Sequence, residues 1–450
     1  MNKKENKISK DIKINKKSAK RNYSNQTGIT LIALVVTIVV LLILAGVSIN
    51  TLFGDNGIIK KAQDAQNRMN NAQESDLNAL NELDEFIDDA TGKLPSTEDT
   101  TPYYPDGTFS KVSRTNLSNG LVIQDGSGNE YVWIEVPKTA EVYPKAGLKI
   151  TNFTETEYKA IETDLHTYTD YYRRNKSGTL TSGKDEYYSD ETTGLTSPQY
   201  TKLKQKMLKS VYENGGFWIG RYEAGIAKNR TSKNIDLETA PAPLSKAGTV
   251  ENPAYPYTYV TCSQAQRLAN LKTTANYTSS LMFGVQWDLV LKHIEVKEVA
   301  NGTALEKIQR ALRNDSKDWG NYYNASFTIN RGKYADYKSY SLSTTWTPYN
   351  KTTRNNFVTS SSFKKTQISS GDGILLTTGA SEACKKMNIY DLAGNVYEWT
   401  LEYTDGGGAP CAKRGGNYGF TGFTFPASYR DASITTYSNN NCGFRSSLFK

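Results

Sequence analysis

Residues 388–400 read Asn-Ile-Tyr-Asp-Leu-Ala-Gly-Asn-Val-Tyr-Glu-Trp-Thr, and this stretch decides the fold. Tyr390, Leu392, Val396, Tyr397 and Trp399 supply apolar surface for a core, and a Trp such as Trp399 can bury about 150–250 Å². Gly394, set among them, marks a point where the backbone needs freedom that a side chain would deny. Glu398 is a lone acid between two aromatics, which packing explains without chemistry; Trp287-Asp288 reads the same way. Downstream lie Arg414-Gly415-Gly416-Asn417-Tyr418 and then Gly443-Phe444-Arg445. Arg445, beside Phe444 and small residues, reads as a charge that locks the fold.

These three ordered motifs resemble the closing motifs of formylglycine-generating enzymes and sulfatase-modifying factors, which read G-L-Y-D-M-x-G-N-V-W-E-W, R-G-G-S-W and G-F-R. Earlier patches follow in the family's order. Tyr131–Pro137 (YVWIEVP) looks like the opening strand, and Gly216–Gly225 (GFWIGRYEAG) is similar to F-x-(I/M)-G-R-Y-E-V. Val260–Leu271 (VTCSQAQRLANL) and Leu281–His293 (LMFGVQWDLVLKH) look like the two helices that come next. The resemblance spans residues 126–450. It implies an α+β, C-type-lectin-like domain, loop-rich and held by a small twisted sheet. Residues 166–205 and 350–372, rich in Thr, Ser, Lys and Tyr, read as surface insertions.

The enzymes of that family carry two cysteines, five residues apart, shortly after R-G-G; these hold copper and perform the oxidation. Counted from Gly416, the two positions fall on Phe420 and Phe425. Phenylalanine forms no thiolate and binds no Cu(I), so neither copper nor catalysis is expected. The two histidines, His166 and His293, stand far apart, which argues against a paired-His iron centre. Cys262, Cys384, Cys411 and Cys442 match no zinc spacing. Cys411–Cys442 is the first candidate among three disulfide pairings, with four free thiols as the alternative. The resemblance also implies a calcium site, with carbonyls from Ala393, Gly394 and Val396 and the carboxylate of Glu398. The alternative is that Glu398 hydrogen-bonds the turn without metal.

Residues 417–442 (NYGFTGFTFPASYRDASITTYSNNNC) lie between R-G-G and G-F-R. Large aromatics among Gly, Ser and Asn provide rigid contact area and adaptable hydrogen bonds, as paratopes do. Asn417, Tyr418, Phe420, Phe423, Phe425, Tyr437, Asn439, Asn440 and Asn441 are therefore the candidate ligand-contacting residues. Phe423 and Phe425 also alternate as strand core would, and the sequence leaves both readings open. Tyr418, Tyr437 and the asparagines are expected to be exposed. The placement resembles variable proteins of diversity-generating retroelements, whose variable stretch ends a lectin-like domain between the same landmarks. The expected ligand is an extracellular protein or glycan.

At the other end, Ile29–Ile49 is 21 residues without a charge, enough for a helix to span a hydrocarbon core of about 30 Å. Nine Lys or Arg against two acids give residues 1–27 a charge of +7, which leaves +1 of the total +8 for the rest of the chain. A nearly neutral body offers no basic stripe for nucleic acid, and the basic tail places the C-terminal part outside a bacterial cell membrane. Thr27–Ile32 resembles type IV prepilins, with cleavage by a prepilin peptidase between Gly28 and Ile29; Ala33 stands where pilins usually carry Glu. Expected are a leader (1–28), a transmembrane helix (29–49), a helical stalk (50–90), a linker (91–125) and the head (126–450). Apolar steps from Ala62 and Ala65 through Leu77, Leu80, Leu83 and Ile87 mark the stalk helix. The whole reads as a non-catalytic, single-pass surface receptor or adhesin. A minor pilin or pseudopilin is the alternative, and a sulfatase-modifying-type enzyme ranks behind it.

Overall fold

The computed structural model describes residues 34–44, 58–339, 341–349, 364–365, 372–405 and 407–450. The chain divides into two units, 1–81 and 82–450. In the first, residues 34–44 are helical and their side chains exposed, and a second helix, Ile58–Thr91, begins. Among the described residues no helix is long and apolar enough to cross a membrane. The rest of the expected span at 29–49, the 1–28 leader and the Gly28–Ile29 processing site lie outside the described residues. This helix covers most of the residues read as a stalk, and Met69 and Ile87 of its apolar stripe are exposed.

In the second unit a six-stranded antiparallel sheet runs in the order Ser110–Lys111, Val122–Gln124, Glu130–Glu135, Gly216–Gly220, Ser446–Phe449, Thr278–Leu281. The last strand of the chain thus sits beside one from its middle. Helices Glu155–Tyr168, Ser197–Asn214, Cys262–Asn270 and Gly284–Ala300 supply apolar residues to one core with this sheet. A second sheet orders Arg430–Ser433, Cys411–Arg414, Tyr397–Thr404 and Cys442–Phe444, with the last pair parallel and Gly183–Lys184 joined to Tyr397–Thr404. A three-stranded sheet (Ser341–Pro348, Lys333–Lys338, Gly373–Leu376) lies over Tyr418.

Two expected boundaries are corrected. The 91–125 linker belongs to the head: it contributes the first two sheet strands and buries Tyr103, Phe109 and Leu121. Tyr103 packs edge-on to Trp133, and Trp218 Nε1 donates to the Tyr103 carbonyl at 2.9 Å. Proline and glycine mask these anchors in the sequence. Residues 166–205 are likewise more than a surface insertion, since Tyr172 and Tyr200 are buried and the Tyr200 hydroxyl donates to Leu401 O at 2.9 Å.

Two buried arginines tie the motifs together. Arg445 meets both Glu398 oxygens (2.6 and 3.0 Å) and donates to the carbonyls of Gly220 and Tyr390. Arg414 bonds Asp288 and Glu402, and Arg430 bonds the same two acids. Asp391 and Glu223 are buried close to Glu398, and Glu223 accepts from Asn395 and the Val396 N–H. Burial pushes the Glu223 carboxyl well up, with Asp391 and Glu398 adding to it. It pushes Asp391 up to about 7, against a hydrogen bond from the Gly379 N–H.

Replacing Arg445 by Met should cost about 3–5 kcal/mol, because Glu398 is left buried and unpaired; urea unfolding would read this. Asp391 has a pH signature. Between its unfolded value of about 3.9 and its folded value of about 7 the native state holds a proton that the unfolded chain has lost. Its stabilising contribution is therefore complete below about 4 and declines as pH rises through 7. In Asp391→Asn this part of the decline in melting temperature between pH 4 and 7 should vanish. Asn tolerates the positive φ of 57° at this position.

Candidate ligand-binding face

Gly415 and Gly416, at φ of 87° and 78°, turn the chain out of the Cys411–Arg414 strand into residues 417–442. A Cβ on Gly416 would lie 2.3 Å from the Phe425 carbonyl, so only glycine fits this crossing. The stretch returns through Arg430–Ser433 and reaches Cys442–Phe444 beside Tyr397–Thr404.

The candidate contact residues separate into two groups. Phe420 and Phe423 are exposed (41% and 61%), as are Thr424, Ile434 and Asn439. Phe425, Tyr429, Tyr437, Asn440 and Asn441 are half-buried. Asn417 and Tyr418, expected on the surface, are interior, and that expectation is corrected. The Lys333–Lys338 strand passes over Tyr418, placing Tyr337 at 5.0 Å between ring centroids, while the Tyr418 hydroxyl reaches Asn440 at 2.9 Å. The Asn417 side chain accepts from the Gly419 N–H. Asn439 and Asn441 also brace the loop, since their carbonyls accept from Tyr259 and Tyr397. Burial pushes the Tyr418 and Tyr437 hydroxyls up, and the Lys413 amine lies 4.3 Å from the Tyr437 ring.

Phe420 and Phe425, at the two positions where the family resemblance puts copper cysteines, meet edge-on at 4.4 Å. Phe425 contacts Tyr429 at the same distance. An aromatic cluster fills that place, and its residues do not fit copper.

Glu398, the one side chain of the expected calcium set, is already engaged. Both Glu398 oxygens face Arg445, whose guanidinium already supplies the positive charge that a cation would bring. The Gly394 turn is wired by protein groups: Gly394 N–H to Gly415 O, Asn395 N–H to Asn321 O, and Val396 N–H to Glu223. Glu398 bonds Arg445 and not the turn, whose Val396 N–H goes to Glu223 instead. The Cys411–Cys442 pairing is corrected as well, since both are buried without a bond between them. Cys411 and Cys442 flank opposite sides of Tyr397–Thr404. Two strand spacings, roughly 9–10 Å, exceed the reach of about 7 Å for a disulfide.

Three features were missed in the sequence. Lys176 places its amine 3.6 Å over the Phe423 ring, and burial lowers its pKa. Around them a cavity of about 540 Å³ opens between residues 174–182, the end of helix Leu305–Arg313 and residues 423–430. Elsewhere, Glu162, His166 and Asp185 converge within 4.8 Å. The Glu162/His166 spacing of four on one helix could have flagged two of them. Lys204 already occupies Glu162 at 3.0 Å, and Asp185 is held by the Gly284 and Val285 N–H groups. His293, the other histidine, is buried; its Nδ1 accepts from the Glu135 N–H, and burial holds its pKa down near about 3.

Comparison with known proteins agrees with the motifs. The sulfatase-modifying factor enzyme 1-like domain matches residues 216–447, just over half of the chain. No curated protein matches. Among solved structures, Treponema denticola variable protein 1 is similar at 12% identity and a TM-score of 0.26, covering 52% of this chain and 85% of its own. CarF is similar at 12% identity and a TM-score of 0.20, covering 72% and 89%. With that domain matched in motif order through the closing Arg445, the chain belongs to the sulfatase-modifying factor enzyme 1-like domain family.

Proposed function

We propose that this protein is a non-catalytic ligand-binding protein, displayed at a bacterial cell surface, that contacts its ligand through the exposed part of residues 420–441. The carrying observation is the Phe420–Phe425 pair: where the enzymes need two thiols, this chain packs two rings at 4.4 Å and leaves Phe420 open to solvent. Monomeric proteins place exposed aromatics of this kind, rimmed by polar groups, at interaction sites. The Asn, Ser, Thr and Tyr around them add adaptable hydrogen bonds. The apolar run at 29–49 anchors the chain in the membrane with the head outside, and a prepilin peptidase processes it after Gly28. The reading invokes no metal and no nucleic acid.

Diversification by a retroelement is part of the proposal, because the Asn-, Tyr- and Ser-rich stretch stands between fixed structural arginines. It requires adenine-rich codons in residues 417–442 to vary among related isolates, beside a template repeat and a reverse transcriptase gene. A segment no more variable than the core would refute it. Side-chain replacement tests the face itself. Phe423→Ala should change stability by no more than about 0.5 kcal/mol, whereas Tyr418→Ala should cost about 3–5 kcal/mol as a buried aromatic truncation. Equal losses in denaturant unfolding would show that Phe423 is core and not contact surface.

A further inference from the structure

The cavity beside Phe423 carries a chemistry of its own. Its outer wall, residues 174–182, is firmly built: Arg174 bonds Asp170 at 2.6 Å and the Gly178 carbonyl at 3.0 Å. The Thr181 hydroxyl donates to the Arg173 carbonyl and accepts from the Arg430 guanidinium, and Gly183–Lys184 joins the second sheet. The wall is stapled to the very stretch that forms the binding face.

Four cations line the cavity and no carboxylate does. Arg174 and Arg430 are neutralised by Asp170, Asp288 and Glu402. Lys176 and Arg313 have no ion pair among the described residues. The Arg313 guanidinium lies 3.9 Å over the Tyr171 ring and gives one N–H to the Tyr171 carbonyl, while its buried Nε has no partner. The Lys176 amine feels the charge of Asp315 but rests on the face of Phe423. Ser177, Ser182 and Ser428 line the cavity as well, and their hydroxyls make no hydrogen bond among the described residues. Phe423 and Tyr429 add aromatic surface.

Resting on the reading of this face as a ligand-binding surface, we infer that the cavity takes an acidic saccharide, whose carboxylate is drawn by the cavity's two cations without an ion pair, Lys176 first. The arginine offers planar N–H donors suited to a carboxylate, and the lysine a point charge. The serine hydroxyls pair with ring hydroxyls, and the aromatic surface covers the C–H face of a pyranose. About 540 Å³ lies within the roughly 300–1,000 Å³ typical of small-ligand pockets. An acidic peptide would instead use a row of backbone partners along a groove or strand edge, whereas side-chain hydroxyls ring this cavity.

The test is calorimetric titration of the full-length protein with digalacturonic acid, the neutral disaccharide galactobiose and hexaglutamate. Digalacturonate should bind at least about ten-fold more tightly than galactobiose, as a charge-assisted contact implies, and more weakly as salt is raised. Lys176→Gln, in an exposed loop, should weaken it by about ten-fold, while Lys228→Gln, an exposed lysine elsewhere, leaves it unchanged. No preference over galactobiose, no effect of Lys176→Gln, or tighter binding of hexaglutamate would each overturn the assignment. Failure of digalacturonate together with hypervariable codons at 417–442 removes the saccharide and keeps the binding face. Digalacturonate binding that depends on Lys176 beside an invariant segment keeps the saccharide and removes diversification.

Discussion

The structure depends on the cost of hiding Arg445 from water. A buried guanidinium is tolerated only if its charge is paired and its N–H groups are satisfied. Glu398 supplies the charge, and the carbonyls of Gly220 and Tyr390 take further hydrogen bonds. Those partners come from three separated parts of the chain: the Gly216–Gly220 strand, the short Ile389–Tyr390 strand and the Tyr397–Thr404 strand. The arginine is satisfied only when all three are in register, so one residue near the C-terminus reports on the assembly of the whole head. Replacement by a hydrophobic group of similar volume could stabilise a pair of this kind in other settings. Here Glu223 and Asp391 lie close by, and the same guanidinium opposes the charge of both.

Arg414 plays the matching part at the other end of residues 417–442. With Asp288, Glu402 and Arg430 it forms a buried four-membered network that fixes where residues 417–442 leave the sheet. Arginines thus bracket the stretch on both sides. Arg430 pins it in the middle, where its guanidinium also reaches Thr181. A loop held at three points by buried charge keeps its path when the side chains between those points change, which a variable contact surface requires. The same logic separates positions that can vary from those that cannot: Phe420, Phe423 and Thr424 project outward, while Tyr418, Pro426 and Ala427 are packed inside.

Much of this was legible in the sequence, because the motif residues are the ones that pay for their burial by meeting each other. Arg445, Arg414, Glu398 and the glycines carry a spacing that only this network explains. Boundaries were less legible. Tyr103 and Phe109 are ordinary aromatics in a run of Pro, Thr and Asp, and only a sheet edge 20 residues downstream reveals them as core. Tyr418 was misread because its cover, the strand carrying Tyr337, comes from about 80 residues upstream and has no local periodicity linking the two. The contact of Lys176 with Phe423 crosses almost 250 residues and leaves no trace in spacing or composition.

That contact also shows how a family scaffold changes its use. Two positions shortly after Gly416, Phe420 and Phe425, are adjacent in space on a backbone path set by Gly415, Gly416 and the arginine network. With phenylalanines there, the space is filled by aromatic surface that water does not solvate well, and part of it remains exposed at Phe420. Residues 174–182 then wall off the neighbouring ring of Phe423 and bring Lys176 over it, while Arg313 lines the same cavity from the end of its helix. The Phe420–Phe425 cluster and the cavity are neighbours along one stretch, and of these three phenylalanines only Phe423 lines the cavity. Side chains at positions whose backbone is fixed thus decide what surface this end of the domain presents.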